Sequence, residues 1–536
     1  MKVKSLLGGT IVLITANIIS KILGAVLKIP LTYILKEEGM AIYHTTFSVY
    51  ITVLFLITSG IPFAVSKYIS QAVALNKTDN IKKTVNISIL IMSTIGLMGS
   101  LLLFFGADFF ALSMKDPKAT ASIKAISPSV ILVSIGCIYK SAFEAQQNML
   151  PTAISQVVES IVKLILGFSL AMFFASFSVT YATSGAIFSI TIGEFIATAI
   201  LAMLYYKNHT EHENEPASDK YKTIVASIMS VAVPLMITSL VSSCLSLIET
   251  SVIRNSLLDI EFTKSSAEKF VSLYSPYTKV FDSLLDTLKM DIDGARWIFG
   301  AYTGYAATVF NLPIGMLASL GVATIPAITK SIVLKDYTNL NQLFNTVIKF
   351  ILLLSIPCSI IIYIFPEEIL YILFKNTASS HILKITAPLV LIFPISNILS
   401  LTLYSSGNIL LPFYNEIIAS IIKICLAFIL IQIPEINISG VVLSTIVSNV
   451  VLLLLNIRTA KKHLHLKLLH ISFIIRSIMC SFGMLTICVI LKSLLKSNLY
   501  TFVCMCCASL LVYFTLVLLS DALNKNDLQS LNMQTI

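Results

Sequence analysis

Residues 152–175 read TAISQVVESIVKLILGFSLAMFFA. Two charges, Glu159 and Lys163, stand in a run dominated by Val, Ile, Leu, Phe and Ala. Polar and apolar residues do not alternate and no turn dipeptide interrupts the run, so it reads as one helix. At ~1.5 Å per residue it is roughly 36 Å long, enough to cross a hydrocarbon core of about 30 Å. Runs of this kind fall at 6–35, 42–65, 84–106, 124–146, 152–175, 182–206, 224–253, 297–320, 347–365, 383–405, 413–433, 439–457, 471–491 and 499–520. Of the 536 residues, 56% are hydrophobic and 12% charged, whereas a soluble domain carries about 25% charged residues. The expected fold class is an all-α integral membrane protein of about fourteen transmembrane helices. Alternating strand patterns are missing, which excludes a β-barrel.

The run at 6–35 follows Lys2 and Lys4 and is too long for the apolar part of a signal peptide, so it counts as the first span. With the N-terminus inside, the inner segments hold sixteen Lys and Arg and the short outer loops six. Segment 254–296 is left out because the charge rule weakens for longer loops. The bias places both termini in the cytosol. It also accounts for the net charge of +10 without a nucleic-acid partner, since no basic face is interleaved with aromatics. The polar segment 207–222 is expected in the cytosol. Segment 254–296, with six basic and seven acidic residues, is expected outside as a solvated, partly helical hairpin. Its aspartates Asp282, Asp286, Asp291 and Asp293 lack the ligand order of a calcium loop. The nine cysteines lie in apolar runs without the spacing of a zinc site or a disulfide framework. Even Cys504, Cys506 and Cys507 read as small hydrophobes, and neither metal nor cofactor is expected.

The chain also repeats itself. A shift of 260 residues lays Phe105 on Phe365, Lys115 on Lys375, Pro128 on Pro388, Asn148 on Asn408 and Lys163 on Lys423. SIVKLILGF (160–168) meets SIIKICLAF (420–428) with five of nine residues identical. The expected division is a lobe of six spans over 1–206, a cytosolic linker over 207–223 and a second six-span lobe over 224–460, with outer loop 254–296. Two further spans and a tail follow over 461–536. Six is even, so both lobes enter the membrane the same way, a parallel repeat about an axis along the membrane normal. Such lobes put a central cavity between them, and rocking exposes it to each side in turn.

A charge near the bilayer centre costs about 2.5–3.5 kcal/mol, so it is expected to face a cavity or a partner. Lys140 with Glu144, and Glu159 with Lys163, are four apart on one helical face and can neutralise each other. Glu194 has no partner along its own helix. Glu416 lies near the cytosolic end of its span and Lys423 in its interior; snorkelling explains the first but not the second. Lys21 and Lys28 differ from these. They are seven apart, so they share a face, and their helix offers no nearby acid. Two ammonium groups on one face suit an anionic substrate. The competing reading is an ion pair with another helix, for which Glu249, near the position of Lys28 in the repeat, is the candidate. The substrate-cavity set is therefore Lys21, Lys28 and Glu249.

SKILGAVLKIP (20–30), TSGIPFAVSKYIS (58–70), QQNMLPTAISQVVESIVKL (146–164) and YTGYAATVFNLPIGMLASLGVATIPAITK (302–330) together resemble the stage V sporulation protein B family. That family belongs to the multidrug/oligosaccharidyl-lipid/polysaccharide flippase superfamily. The resemblance implies a flippase of the bacterial plasma membrane, not an enzyme. Its implied substrate is an undecaprenyl-pyrophosphate-linked glycan, either a peptidoglycan precursor such as lipid II or another cell-wall or spore-cortex unit. Related lipid II flippases carry basic cavity residues, often Arg, in the stretch that holds Lys21 and Lys28; a lysine meets phosphate as a point charge. No P-loop is present, so energy must come from an ion gradient, with sodium or a proton as coupling cation, from the membrane potential or from substrate supply. Two alternatives stand beside this. One is a cation-coupled multidrug exporter using Glu144, Glu159 and Glu249. The other is a glycan polymerase using loop 254–296.

Overall fold

The structure, a computed structural model, describes residues 6–74, 78–208, 220–274, 278–406, 410–466, 471–494 and 499–520. Among them there are helices and one isolated antiparallel bridge, Glu261 to Lys289, but no strand. In chain order the helices are α1 (Leu6–Thr58), α2 (Ile61–Ala74), α3 (Thr78–Phe105), α4 (Ala107–Ser113), α5 (Thr120–Ile126), α6 (Ser129–Ala145), α7 (Leu150–Ala175), α8 (Val179–Asn208), α9 (Tyr221–Leu258) and α10 (Lys264–Leu273). They continue as α11 (Asp282–Thr287), α12 (Ile292–Ala301), α13 (Ala307–Val333), α14 (Tyr337–Ile364), α15 (Pro366–Phe374), α16 (Ser380–Ser405), α17 (Leu410–Ile431), α18 (Ser439–Leu464), α19 (Ile471–Leu494) and α20 (Leu499–Leu519). A π turn, Tyr302–Ala306, joins α12 to α13.

Twelve stretches of the described residues are long and apolar enough to cross a membrane. Their outer faces carry large apolar side chains. Met98, Phe105, Phe173 and Met203 are between 65% and 77% exposed, a distribution that lipid favours and water opposes. The first stretch, Thr15–Val73, covers the expected run 42–65 and most of 6–35, and the polar residues Lys36, Glu37 and Glu38 between them stay within helix α1. The turn between the two runs is made at Lys36, which at φ 53° and ψ −164° breaks the helical path of α1.

The chain packs as two compact units, Met1–Asn255 with Ile292–Gly300, and Ser256–Asp291 with Ala301–Ile536. In the first, α7 runs along α8, α1 leans on both, and α3 packs on α6. Its core holds Val49, Val53, Val85, Met92, Ile138 and Phe143. In the second, α17 runs along α18, while α16 packs on α13, α14 and α18. There α19 and α20 pack on each other and α19 on α14, around Phe365, Phe473, Met484 and Tyr513.

The order of elements in the first unit recurs in the second. A long helix (α3, α14) is followed by a short one (α4, α15), then by a span that is divided into α5 and α6 in the first unit and continuous as α16 in the second, and then by two long helices (α7 and α8, α17 and α18). After each short helix the chain turns at a lysine in the left-handed region, Lys115 at φ 49° and Lys375 at φ 52°. These two lysines are superposed by the 260-residue shift.

Segment 256–291 departs from expectation. Rather than a solvated hairpin it has its own aromatic core. Phe270 meets the rings of Phe262, Tyr274 and Phe281, and all four are buried. The Tyr274 hydroxyl donates to Asn437 Oδ1 at 3.3 Å. Its burial raises the phenol pKa, which keeps the proton available for donation. The charge count that suggested solvation gave no weight to Phe262, Phe270, Tyr274 and Phe281.

Candidate functional site

Helix α1 carries Lys21 exposed and Lys28 half-buried. Gly24 lies between them, and a Cβ built there meets nothing within 4 Å. Positions 21, 24 and 28 follow the helical repeat, so they form one stripe with a bare centre. α1 is packed before and beyond this stripe. Leu27, Leu31 and Leu35 are buried with Ala171, Ala182 and Ala186, and Asn17 Oδ1 accepts from Gln156 Nε2 at 2.6 Å. Among the described residues the Lys28 ammonium makes no ion pair or hydrogen bond, and Glu249, half-buried on α9, does not neutralise it.

A second group of charges is held inside the first unit, where α6, α7 and α8 meet. Lys163 Nζ donates to Glu159 on its own helix and to Glu194 Oε1 on α8 at 3.1 Å. Lys140 on α6 stands 3.9 Å from the other Glu159 oxygen. Two lysines thus neutralise two carboxylates. Lys140 reaches across to α7 instead of pairing with Glu144, which makes no ion pair among the described residues. Glu194, without a partner along its own helix, finds one on the next. In the second unit Glu416 lies beside Tyr404, and Lys423 is half-buried on α17 where Lys163 stands on α7.

A third cluster was not anticipated from the sequence. Asp116, fully buried in the connection from α4 to α5, meets two arginines. Arg254 Nη1 lies 3.1 Å from Oδ2, and Arg296 Nε donates to Oδ1 at 3.1 Å. Both guanidiniums are buried, Arg254 near the end of α9 and Arg296 in the first turns of α12. Arg254 Nη2 also donates to the Lys115 carbonyl at 3.3 Å, and its guanidinium lies 5.5 Å from the centre of the Phe299 ring. A more exposed rim surrounds this centre: Glu38 with Lys118 at 2.5 Å, and Asp293 with Arg296 at 2.5 Å. Beside it the backbones touch, because a Cβ at Gly300 would stand 1.7 Å from the Glu37 carbonyl oxygen. One sequence signal was available. The chain has four arginines among its 37 basic residues, and two of them frame segment 254–296. Among the described residues no three His, Cys, Asp or Glu side chains converge as a metal site.

Fold and buried charges define a multi-pass, all-helical membrane protein. The model of the polysaccharide biosynthesis protein family matches residues 6–332, and that of lipid II flippase MurJ matches 300–510. The chain belongs to the polysaccharide biosynthesis protein family. Stage V sporulation protein B of Bacillus subtilis (strain 168) is 24% identical over 99% of this chain and 98% of that protein. Lipid II flippase MurJ of the same organism is 25% identical over 85% and 83%. Among solved structures, lipid II flippase MurJ in an inward closed conformation aligns with a TM-score of 0.66 at 17% identity, covering 95% of this chain and 98% of that one. An inward-facing multidrug resistance MATE family transporter of the MOP superfamily aligns at 0.63 and 13% identity, covering 85% and 99%. At these identities the solved structures speak for the fold alone.

Proposed function

We propose that this protein is a flippase that carries an anionic, lipid-linked glycan from the inner to the outer leaflet by alternating access, and that Lys21 and Lys28 receive its pyrophosphate. An undecaprenyl-pyrophosphate-linked unit of peptidoglycan or a related cell-wall polymer fits this chemistry. It is also the class of substrate that the name of the relative lipid II flippase MurJ points to. The reading includes fourteen spans in two parallel six-helix lobes over 1–206 and 224–460, two further helices, both termini in the cytosol and a sodium ion or proton as coupling cation. The observation that carries it is the stripe Lys21–Gly24–Lys28, two cations on either side of a bare helical turn. Of the three carboxylates that a cation-coupled exporter of drugs would use, Glu159 is already neutralised by Lys140 and Lys163.

Each ammonium–phosphate contact is a charge-assisted hydrogen bond, about twice as strong as a neutral one. In proteoliposomes with lipid II, the double change Lys21→Ala and Lys28→Ala is expected to abolish flipping while leaving membrane insertion intact. Arginine at both positions is expected to keep partial activity. Normal flipping by the double alanine variant would remove the lysines from the mechanism.

A further inference from the structure

The centre formed by Asp116, Arg254 and Arg296 has no part in holding substrate as proposed above. We propose that it is a reversible ionic latch that holds the outer end of the protein shut, and that it parts each time the protein opens outward. The proposal rests on the alternating-access reading and adds a gate to it.

Position is the first argument. The cluster sits on the connection 114–119 and at the two edges of segment 254–296, all assigned to the outer side by the basic bias of the loops. It also joins the two sequence repeats. Glu38, Asp116 and Lys118 come from 1–206, and Arg254, Asp293 and Arg296 from 224–460.

The repeat supplies the second argument. The 260-residue shift that superposes Lys115 on Lys375 puts Asp116 on Asn376. Asn376 is also buried, and its Oδ1 accepts from the Ala378 backbone N–H at 2.8 Å. A neutral amide therefore meets the local needs of this turn, and the carboxylate at 116 answers the two guanidiniums.

Energetics is the third. The cluster has three cations and three anions, so it closes without net charge. Burying ions sacrifices hydration about as large as the attraction regained, and apolar side chains of the same volume often hold more strongly. A latch of this composition specifies one closed geometry yet parts at little net cost once water reaches it. The rim gives water that route, because Glu38, Lys118 and Asp293 side chains are 40%, 44% and 74% exposed.

Ser48 on α1 and Thr250 on α9, one turn from Arg254, share a hydrogen bond of 2.9 Å and can report the state of the latch. Ser48→Cys and Thr250→Cys are placed in a chain freed of its nine cysteines, and oxidative crosslinking is measured in membrane vesicles without substrate. Asp116→Asn leaves two guanidiniums facing each other. It is expected to lower crosslinking by about tenfold and to open Ser48→Cys to an impermeant maleimide added from outside. The triple change Asp116→Leu, Arg254→Met, Arg296→Leu is expected to do the reverse, driving crosslinking towards completion and slowing flipping. If both variants crosslink and label like the parent, or shift in the same direction, the latch is wrong whether or not flipping persists. A parent that flips nothing, with the two variants still opposed, would keep the latch and sink the substrate reading.

Discussion

Lys163 is the residue on which the charges inside the first unit depend. Its ammonium lies between Glu159 and Glu194, and Lys140 touches only one of them. Removing one partner from a buried group leaves uncompensated charge, typically at roughly 3–5 kcal/mol. Lys163→Met is therefore expected to lower the heat-denaturation midpoint in detergent markedly. Adding Glu159→Gln and Glu194→Gln to it should recover most of the loss, and a triple variant as unstable as the single one would deny the pairing. Spacing made half of this legible. Glu159 and Lys163 are four apart on one helix, which any helical reading pairs. Glu194 and Lys140 lie on other helices, and no one-dimensional pattern tells which faces of α6, α7 and α8 meet. Asp116 was invisible for the same reason: its partners follow it by more than a hundred residues.

Among the elements, the turns after α4 and α15 show the repeat at the level of backbone angles. Both use lysine where glycine is the usual choice for ending a helix in the left-handed region. That conformation costs an L-residue about 1–2 kcal/mol, part of which a glycine would give back as freedom in the unfolded chain. Lys115→Gly is accordingly expected to stabilise the protein by about 0.5 kcal/mol, and Lys115→Val to destabilise it by ~1 kcal/mol or more, read from denaturation midpoints. At Lys375 the gain should vanish, because its ammonium lies 4.7 Å from the centre of the Tyr371 ring and glycine forfeits that contact. Equal responses at the two sites would mean that backbone strain does not govern these turns. The expected runs found their helices to within a few residues over most of the chain, since apolar length is a strong one-dimensional signal. The break at Lys36 falls between the expected runs 6–35 and 42–65, where Lys36, Glu37 and Glu38 interrupt the apolar sequence; the sequence does not show that one backbone angle makes the whole turn.

For the whole molecule, composition identified the membrane class, and the repeat gave an order of elements that recurs from one unit to the other. The aromatic core of 256–291 escaped because charge along a segment says little about which of its side chains face inward. One contact within the first unit bears on a different property. Membranes store work as a voltage, and a carrier in them must not act as a wire. Where Gly300 meets the Glu37 carbonyl there is no space for a methyl group and none for a water molecule, so no file of water can conduct protons between these backbones. Gly300→Ala must spread that contact. Proteoliposomes carrying the variant are expected to lose an imposed potential faster than those with the parent, in the absence of any substrate. Liposomes as electrically tight as the parent's would show that the insulation lies elsewhere.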